Sequence, residues 1–239
     1  MQNTIILHQS RRLFSLLLVF LLLGSAAVLP ASAANDPVSI TTAEEFLAIA
    51  DAPDGDYVLA SDLDFAGIEY VPFPFSGTLN GDGHLLLNLT VDSPAEETGI
   101  TYDGNDIEYE TVFGGLFSVL TEAEIHDLTL VNPRVVIDTE ENCFIGSLAG
   151  TMTNSVIRNV QVINGYISLT QTAYNSGTAG LVGFGSGSFQ DCGFEGTLIF
   201  ADTNREENCE SFLGGSCATG MVDVTGCTVT LDAYASVCG

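Results

Sequence analysis

Ile125-His126-Asp127-Leu128-Thr129-Leu130 returns 32 residues later as Ile157-Arg158-Asn159-Val160-Gln161-Val162. It returns again as Phe189-Gln190-Asp191-Cys192-Gly193-Phe194 and as Val224-Thr225-Gly226-Cys227-Thr228-Val229. Leu86-Leu87-Asn88-Leu89-Thr90-Val91 reads as an earlier copy. A glycine-centred motif stands eight or nine residues ahead of each of the four later copies. Its versions are Gly114-Gly115-Leu116-Phe117-Ser118, Ile145-Gly146-Ser147-Leu148-Ala149-Gly150, Ala179-Gly180-Leu181-Val182-Gly183 and Leu213-Gly214-Gly215-Ser216-Cys217-Ala218. With Leu116, Leu148, Leu181 and Ser216 taken as equivalent, the steps are 32, 33 and 35 residues. Two motifs recurring together at one period mark a repeat architecture.

Each repeat reads as three short strands, in the second copy Phe144 to Met152, Val156 to Ile163 and Tyr166 to Thr170. In the middle strand apolar residues alternate (Leu128 and Leu130, Val160 and Val162), which turns one face inward and the other outward. No helical pattern separates the strands, so βαβ units are excluded. A propeller blade needs a longer period of about 40 to 50 residues. A unit this short buries its apolar face only by stacking on a copy, at about 4.8 Å per layer. The sequence therefore predicts an all-β fold, a right-handed parallel β-helix (β-solenoid) of about four to five coils. Asn88, Asp127, Asn159, Asp191 and Gly226 precede the inward residue in each copy. They tolerate left-handed turns and predict a ladder along one corner.

The ends differ from the middle. Thr42 to Ala50, with Glu45 three residues after Thr42 and apolar residues at helical spacing, predicts a short capping helix over the first coil. Tyr57 to Ala60 and Asp62 to Phe65 read as the opening strand, giving a cap over 34–66 and repeat coils over 67–239. Asn80-Gly81-Asp82-Gly83 reads as a hairpin-type turn. Asn88-Leu89-Thr90 fits a glycosylation sequon. No cap follows Val229, and an open solenoid end invites pairing or oligomerisation. The natural chain extends further, Cys238 pins the end, or a partner covers it.

Residues 1–33 read as a signal peptide: Arg11 and Arg12, an apolar run from Leu13 to Leu23, and Ala31-Ser32-Ala33 as an A-x-A site. After cleavage at Ala33 the domain spans 34–239 with no membrane span, secreted or displayed on the cell surface. The whole chain has 31 acidic residues and a formal charge of −26. Beyond the leader there is no lysine, and the arginines are Arg134, Arg158 and Arg205. Such a surface repels nucleic acid and anionic lipid. Six cysteines suit disulfides in an exported chain and allow 15 connectivities. Cys192 and Cys227 fall at equivalent positions of adjacent coils, so they are the disulfide candidate; two stacked free thiols are the alternative. No C-x-x-C occurs, which argues against structural zinc.

Gly180-Leu181-Val182-Gly183 resembles the core of the GLUG-motif repeat of bacterial surface proteins, and the run from Phe75 to His84 resembles the lead-in such proteins carry. The motif residues are Gly115, Leu116, Gly146, Leu148, Gly150, Gly180, Leu181, Val182, Gly183 and Gly215. The other copies depart: Ser118 replaces the last glycine and Ser147 the first. These repeats occur in large cell-surface proteins, including regions beside immunoglobulin-A-cleaving metalloproteases and adhesins. The resemblance implies a β-helical extracellular module, usually without assigned activity.

No H-E-x-x-H, nucleophile elbow or triad pattern is present, so the sequence offers no catalytic residues. Acidic loops supply the remaining chemistry. Asp103, Asp106 and Glu108 are calcium candidates by oxygen chemistry, although they do not match an EF-hand; solvated loops are the plainer reading. Calcium is the one candidate cofactor. The expectation is a non-enzymatic module for adhesion or spacing, meeting an extracellular glycan or a cell-surface protein. The alternatives are a carbohydrate-active β-helix enzyme using acidic residues and a calcium-stabilised stalk.

Overall fold

The computed structural model describes residues 36–97, 111–171, 176–202, 212–213 and 218–238. β1 (Val38–Ile40) leads into helix α1 (Ala43–Leu47), a 3-10 turn (Ala48–Asp51), β2 (Asp56–Leu59) and β3 (Leu63–Asp64). The first coil carries β4 (Phe73–Phe75), β5 (Thr78–Asn80), β6 (Leu85–Leu87), β7 (Thr90–Val91) and β8 (Ala95–Glu97). The second carries β9 (Thr111–Gly114), β10 (Phe117–Thr121), β11 (Glu124–Val131) and β12 (Arg134–Thr139). The third has β13 (Asn142–Ile145) and β14 (Ala149–Gln171), and the fourth β15 (Gly177–Thr178), β16 (Val182–Gln190) and β17 (Gly193–Asp202). β18 (Phe212–Leu213), β19 (Ala218–Thr225) and β20 (Thr228–Cys238) belong to the next. Three coils, 111–139, 142–171 and 176–202, are thus described almost whole, with a partly described coil on either side.

The ladders are parallel, as the repeat predicts. Ile125 pairs with Leu79 below and Ile157 above, and Ile157 pairs with Phe189. A second column runs Leu86, Leu130, Val162, Phe194 and Val229. Inward residues of successive coils lie in line, so apolar side chains of different repeats form one cluster. Ile125, Leu130, Ile157 and Leu198 are each 0% exposed. Burying each such side chain contributes on the order of 1.5–3 kcal/mol. One pairing departs from this pattern: β8 runs antiparallel to β9, Ala95 facing Phe113.

The turns expected between strands are single left-handed residues. β14 runs unbroken from Ala149 to Gln171, bending at Asn154, Asn159 and Asn164 with φ of 50°, 50° and 55°. Asn and Asp reach this conformation at lower cost than other side chains because their short polar groups bond nearby backbone. Each bend shifts the in–out alternation by one residue, which is why Ile157 and Val160 both point inward.

The first repeat copy is misplaced by the sequence pattern. Leu86 pairs with Leu130 and Val91 with Val135, whereas Leu79 occupies the place of Ile125. Asn88 therefore belongs to the corner of Asn132 and Asn164, not to that of Asp127, Asn159 and Asp191. The reason is physical: two corners of one coil need the same left-handed residue followed by an inward apolar one, so the pattern occurs twice per coil. Nor is Asn80-Gly81-Asp82-Gly83 a hairpin. β5 and β6 both pair with β11, so Gly81 to His84 form a small loop where the next coil has only Asp127 and Leu128. Asp82 (φ 48°) and Gly83 (φ 79°) close it, with His84 N–H donating to Gly81 O at 2.8 Å.

At the N-terminal end α1 closes the stack. Thr42 caps it, its Oγ1 accepting from Glu45 N–H at 3.2 Å. The Glu45 carboxylate accepts from Thr41 N–H at 2.7 Å, one residue ahead of where a capping box places that bond. Phe46 is 0% exposed and meets Phe65 edge-on at 5.6 Å, with Phe73 and Phe117 beyond. At the other end of the described residues, Val222, Cys227, Val229 and Leu231 are only partly covered.

Candidate functional site

The middle predicted strand brings outward side chains of successive coils into columns. Glu124, Val156, Ser188 and Asp223 form one, and His126, Arg158, Gln190 and Thr225 the next. Val156, Arg158, Ser188, Gln190, Asp223 and Thr225 line an open groove of about 340 Å³. The Arg158 guanidinium donates to the Glu124 carboxylate diagonally across one coil. His126 Nδ1 lies 2.8 Å from Asp127 Oδ2, and Asn159 Nδ2 donates to Asp127 Oδ1 at 2.7 Å. The Asn159 amide first, and the His126 ring second, hold the Asp127 carboxyl below its usual range. The face thus offers hydrogen-bond donors and acceptors at ladder spacing, without an enclosed pocket. Among the described residues, Val156 is the exposed large apolar side chain of these columns.

A second polar cluster joins the cap to the first coil. Asp62 Oδ1 accepts from Leu85 N–H at 3.0 Å and lies 3.1 Å from His84 Nδ1. Asp64 Oδ1 accepts from Asn88 Nδ2 at 2.9 Å and from Ala66 N–H at 3.0 Å. The Leu85 amide chiefly lowers Asp62, and the Asn88 amide chiefly lowers Asp64. Carboxylates held ionised by backbone and amide donors anchor chain rather than deliver protons. The Asn88 amide that would carry a glycan is engaged in this contact.

The glycine motifs are packing devices. Leu116, Leu148 and Leu181, each 0% exposed, stack through Leu116 N–H to Ser147 O at 3.1 Å and Leu148 N–H to Leu181 O at 2.8 Å. A Cβ on Gly146 would lie 2.2 Å from Leu181 O, and one on Gly183 2.6 Å from Ile145 N, so neighbouring coils touch backbone to backbone. Gly115, Gly150, Gly180 and Val182 stand in the same wall; Gly215 lies outside the described residues. So do Asp103, Asp106 and Glu108, the calcium candidates. Among the described residues no three metal-ligating side chains converge. Cys192 and Cys227 occupy stacked positions as expected, and both are thiols.

The cross-coil pairs Glu124–Arg158 and Asp127–Asn159 escaped the sequence reading. The available signal was the repeat itself: partners lie 32 to 34 residues apart, one coil.

No family model matches the chain. Over 84 residues, 35% of this chain, it is 30% identical to Halomucin of Haloquadratum walsbyi, and it spans about 1% of that protein's length. A crystal structure of a proposed immunoglobulin A1 protease from Bacteroides ovatus aligns with 85% of this chain and 84% of its own, at 13% identity and a TM-score of 0.41. No helix among the described residues is long and apolar enough to cross a membrane.

Proposed function

We propose that this chain is a secreted or cell-surface β-helix module without catalytic activity, which presents its outward columns to an extracellular glycan or protein partner. The observation that carries this reading is the open groove along Val156, Arg158, Ser188, Gln190, Asp223 and Thr225. Its donors and acceptors repeat with the coil, which suits an extended partner lying along the stack. Among the described residues, the carboxyls whose proton affinity departs from normal, Glu45, Asp62, Asp64 and Asp127, are all held low. A glycosidase needs the opposite, a carboxyl held high as general acid. Resemblance to GLUG-motif repeats, and the stretch shared with a protein named as a mucin, support placement outside the cell.

The test is binding of the purified chain to a glycan array and to immobilised extracellular proteins, repeated with Arg158→Ala/Gln190→Ala. A bound class lost in the double variant supports the groove. Reducing-sugar release from any polysaccharide would replace this reading with the carbohydrate-active one. A calcium-dependent rise in unfolding midpoint, with no ligand found, would favour the stalk.

A further inference from the structure

We propose that Cys192 and Cys227 form a disulfide that fastens the last described coil to the one beneath it. This is independent of the binding role above.

The ladder sets the two residues opposite each other. Thr228 N–H donates to Cys192 O at 2.9 Å and Asp191 N–H to Thr225 O at 2.9 Å, the alternating bonds of a parallel pair in which Cys192 faces Cys227. Gly193 and Thr228 continue that register. Strands one layer apart lie about 4.8 Å from each other, within the roughly 4.4–6.8 Å that Cα atoms of a disulfide span. Both side chains point inward from the same corner, just after left-handed Asp191 (φ 53°) and Gly226 (φ 68°). The Cys227 sulfur already lies over its neighbour, accepting from Cys192 N–H at 3.4 Å. The Cys192 thiol lies against the Gln190 O at 3.3 Å and the Ile157 O at 3.5 Å, and it also meets the Val160 backbone and the Cys227 side chain.

Cys143 stands differently. It is 0% exposed and faces Val112, and its N–H donates to Ser176 Oγ at 3.0 Å. No cysteine stacks on it among the described residues.

The chemistry is thiol–disulfide exchange with a small-molecule disulfide carrier, such as oxidised glutathione. Cys227, partly exposed, loses its proton and attacks the carrier disulfide, expelling one carrier thiol. The Cys192 thiolate then displaces the second, so two protein thiols become one S–S bond and two electrons pass to the carrier. Burial pushes the Cys192 thiol up to about 12, which makes that second step the slow one. The bond closes the loop from 192 to 227 and ties down the coil whose inward Val222, Val229 and Leu231 are only half covered.

The full chain, purified under reductant, is equilibrated in a glutathione redox buffer, blocked with an alkylating agent and mapped without reduction. The expected result is one peptide pair joining Cys192 to Cys227, with Cys143 alkylated. Its removal, by Cys192→Ser/Cys227→Ser, lowers the unfolding midpoint under oxidising conditions by about 5–15 °C and leaves the reduced midpoint near that of the reduced parent. Alkylation of Cys192 or Cys227 in the main oxidised species, or linkage of either to Cys143, Cys209, Cys217 or Cys238, overturns the proposal.

Discussion

Asn132 Nδ2 donates to Asn88 Oδ1 at 3.2 Å, and Asn164 Nδ2 donates to Asn132 Oδ1 at 2.8 Å, so a single file of amides joins three coils along one corner. Below it Asn88 Nδ2 donates to Asp64, carrying the file down to β3. Each asparagine also holds a left-handed backbone. Asn132→Ala therefore loses two side-chain bonds and places a methyl group where φ is 56°. The expected loss is about 1–2 kcal/mol. Asn132→Gly removes the strain but not the lost bonds and should fall between. Urea unfolding of the three proteins checks the order; equal stability of Ala and wild type would show that the corner bears no strain.

The coil-to-coil approach at the glycine motifs sets a harsher limit. Gly146→Ala must push its methyl group into Leu181 O, and both sides are backbone. Stability should fall by at least about 2–3 kcal/mol, in the range of overpacked cores. Gly67→Ala is the control: nothing lies within 4 Å of its added methyl group, so only the φ of 78° counts, at about 1 kcal/mol. Thermal melts that ranked Gly67→Ala as the worse variant would contradict the packing account.

The cap depends on one aromatic side chain. Phe46→Ala empties a site walled by Phe65, Phe73 and Phe117 and should cost about 3–5 kcal/mol. Hydrogen exchange should then rise first in β1, β2 and β4 and last in β14. Uniform acceleration across all coils would mean that the cap has no local role.

A formal charge of −26 makes the folded chain repel itself. Raising ionic strength from about 0.01 to 1 M shortens the screening length from about 30 to 3 Å, so the unfolding midpoint should climb with sodium chloride. A midpoint that falls with salt would show that ion pairs such as Glu124–Arg158 outweigh the repulsion.

Asp127 is held below its ordinary value by the Asn159 amide and the His126 ring. A depressed carboxyl contributes stability that is present above the unfolded pKa of about 3.9 and fades as pH drops through the lower folded value. Asp127→Asn keeps a residue that tolerates φ of 55° but removes the charge. The stability gap between wild type and variant should be full at pH 6–7 and close progressively below about pH 4. A gap that stays constant down to pH 2 would place its origin in shape, not charge.

Repeat period, strand character and the parallel stack were legible because they rest on local alternation and on recurrence of Leu116, Leu148 and Leu181. The N-terminal cap was legible from Thr42, Glu45 and the spacing of Phe46 and Ile49. The corner to which Asn88 belongs was not, since two corners of one coil carry the same pattern. Nor was the fate of Asn80 to Gly83, whose turn chemistry suits a hairpin and a corner loop equally well.

By itself the sequence determined the period, the inward residues and the left-handed corners, because each follows from a residue's own backbone preference and its neighbours a few positions away. Only the tertiary structure decided register: which Asn sits above which, that Arg158 reaches Glu124 rather than a residue of its own coil, and that Cys192 faces Cys227. Those contacts join residues about one coil apart in sequence but one layer apart in space. The exact length of each coil, loops included, sets which of them meet.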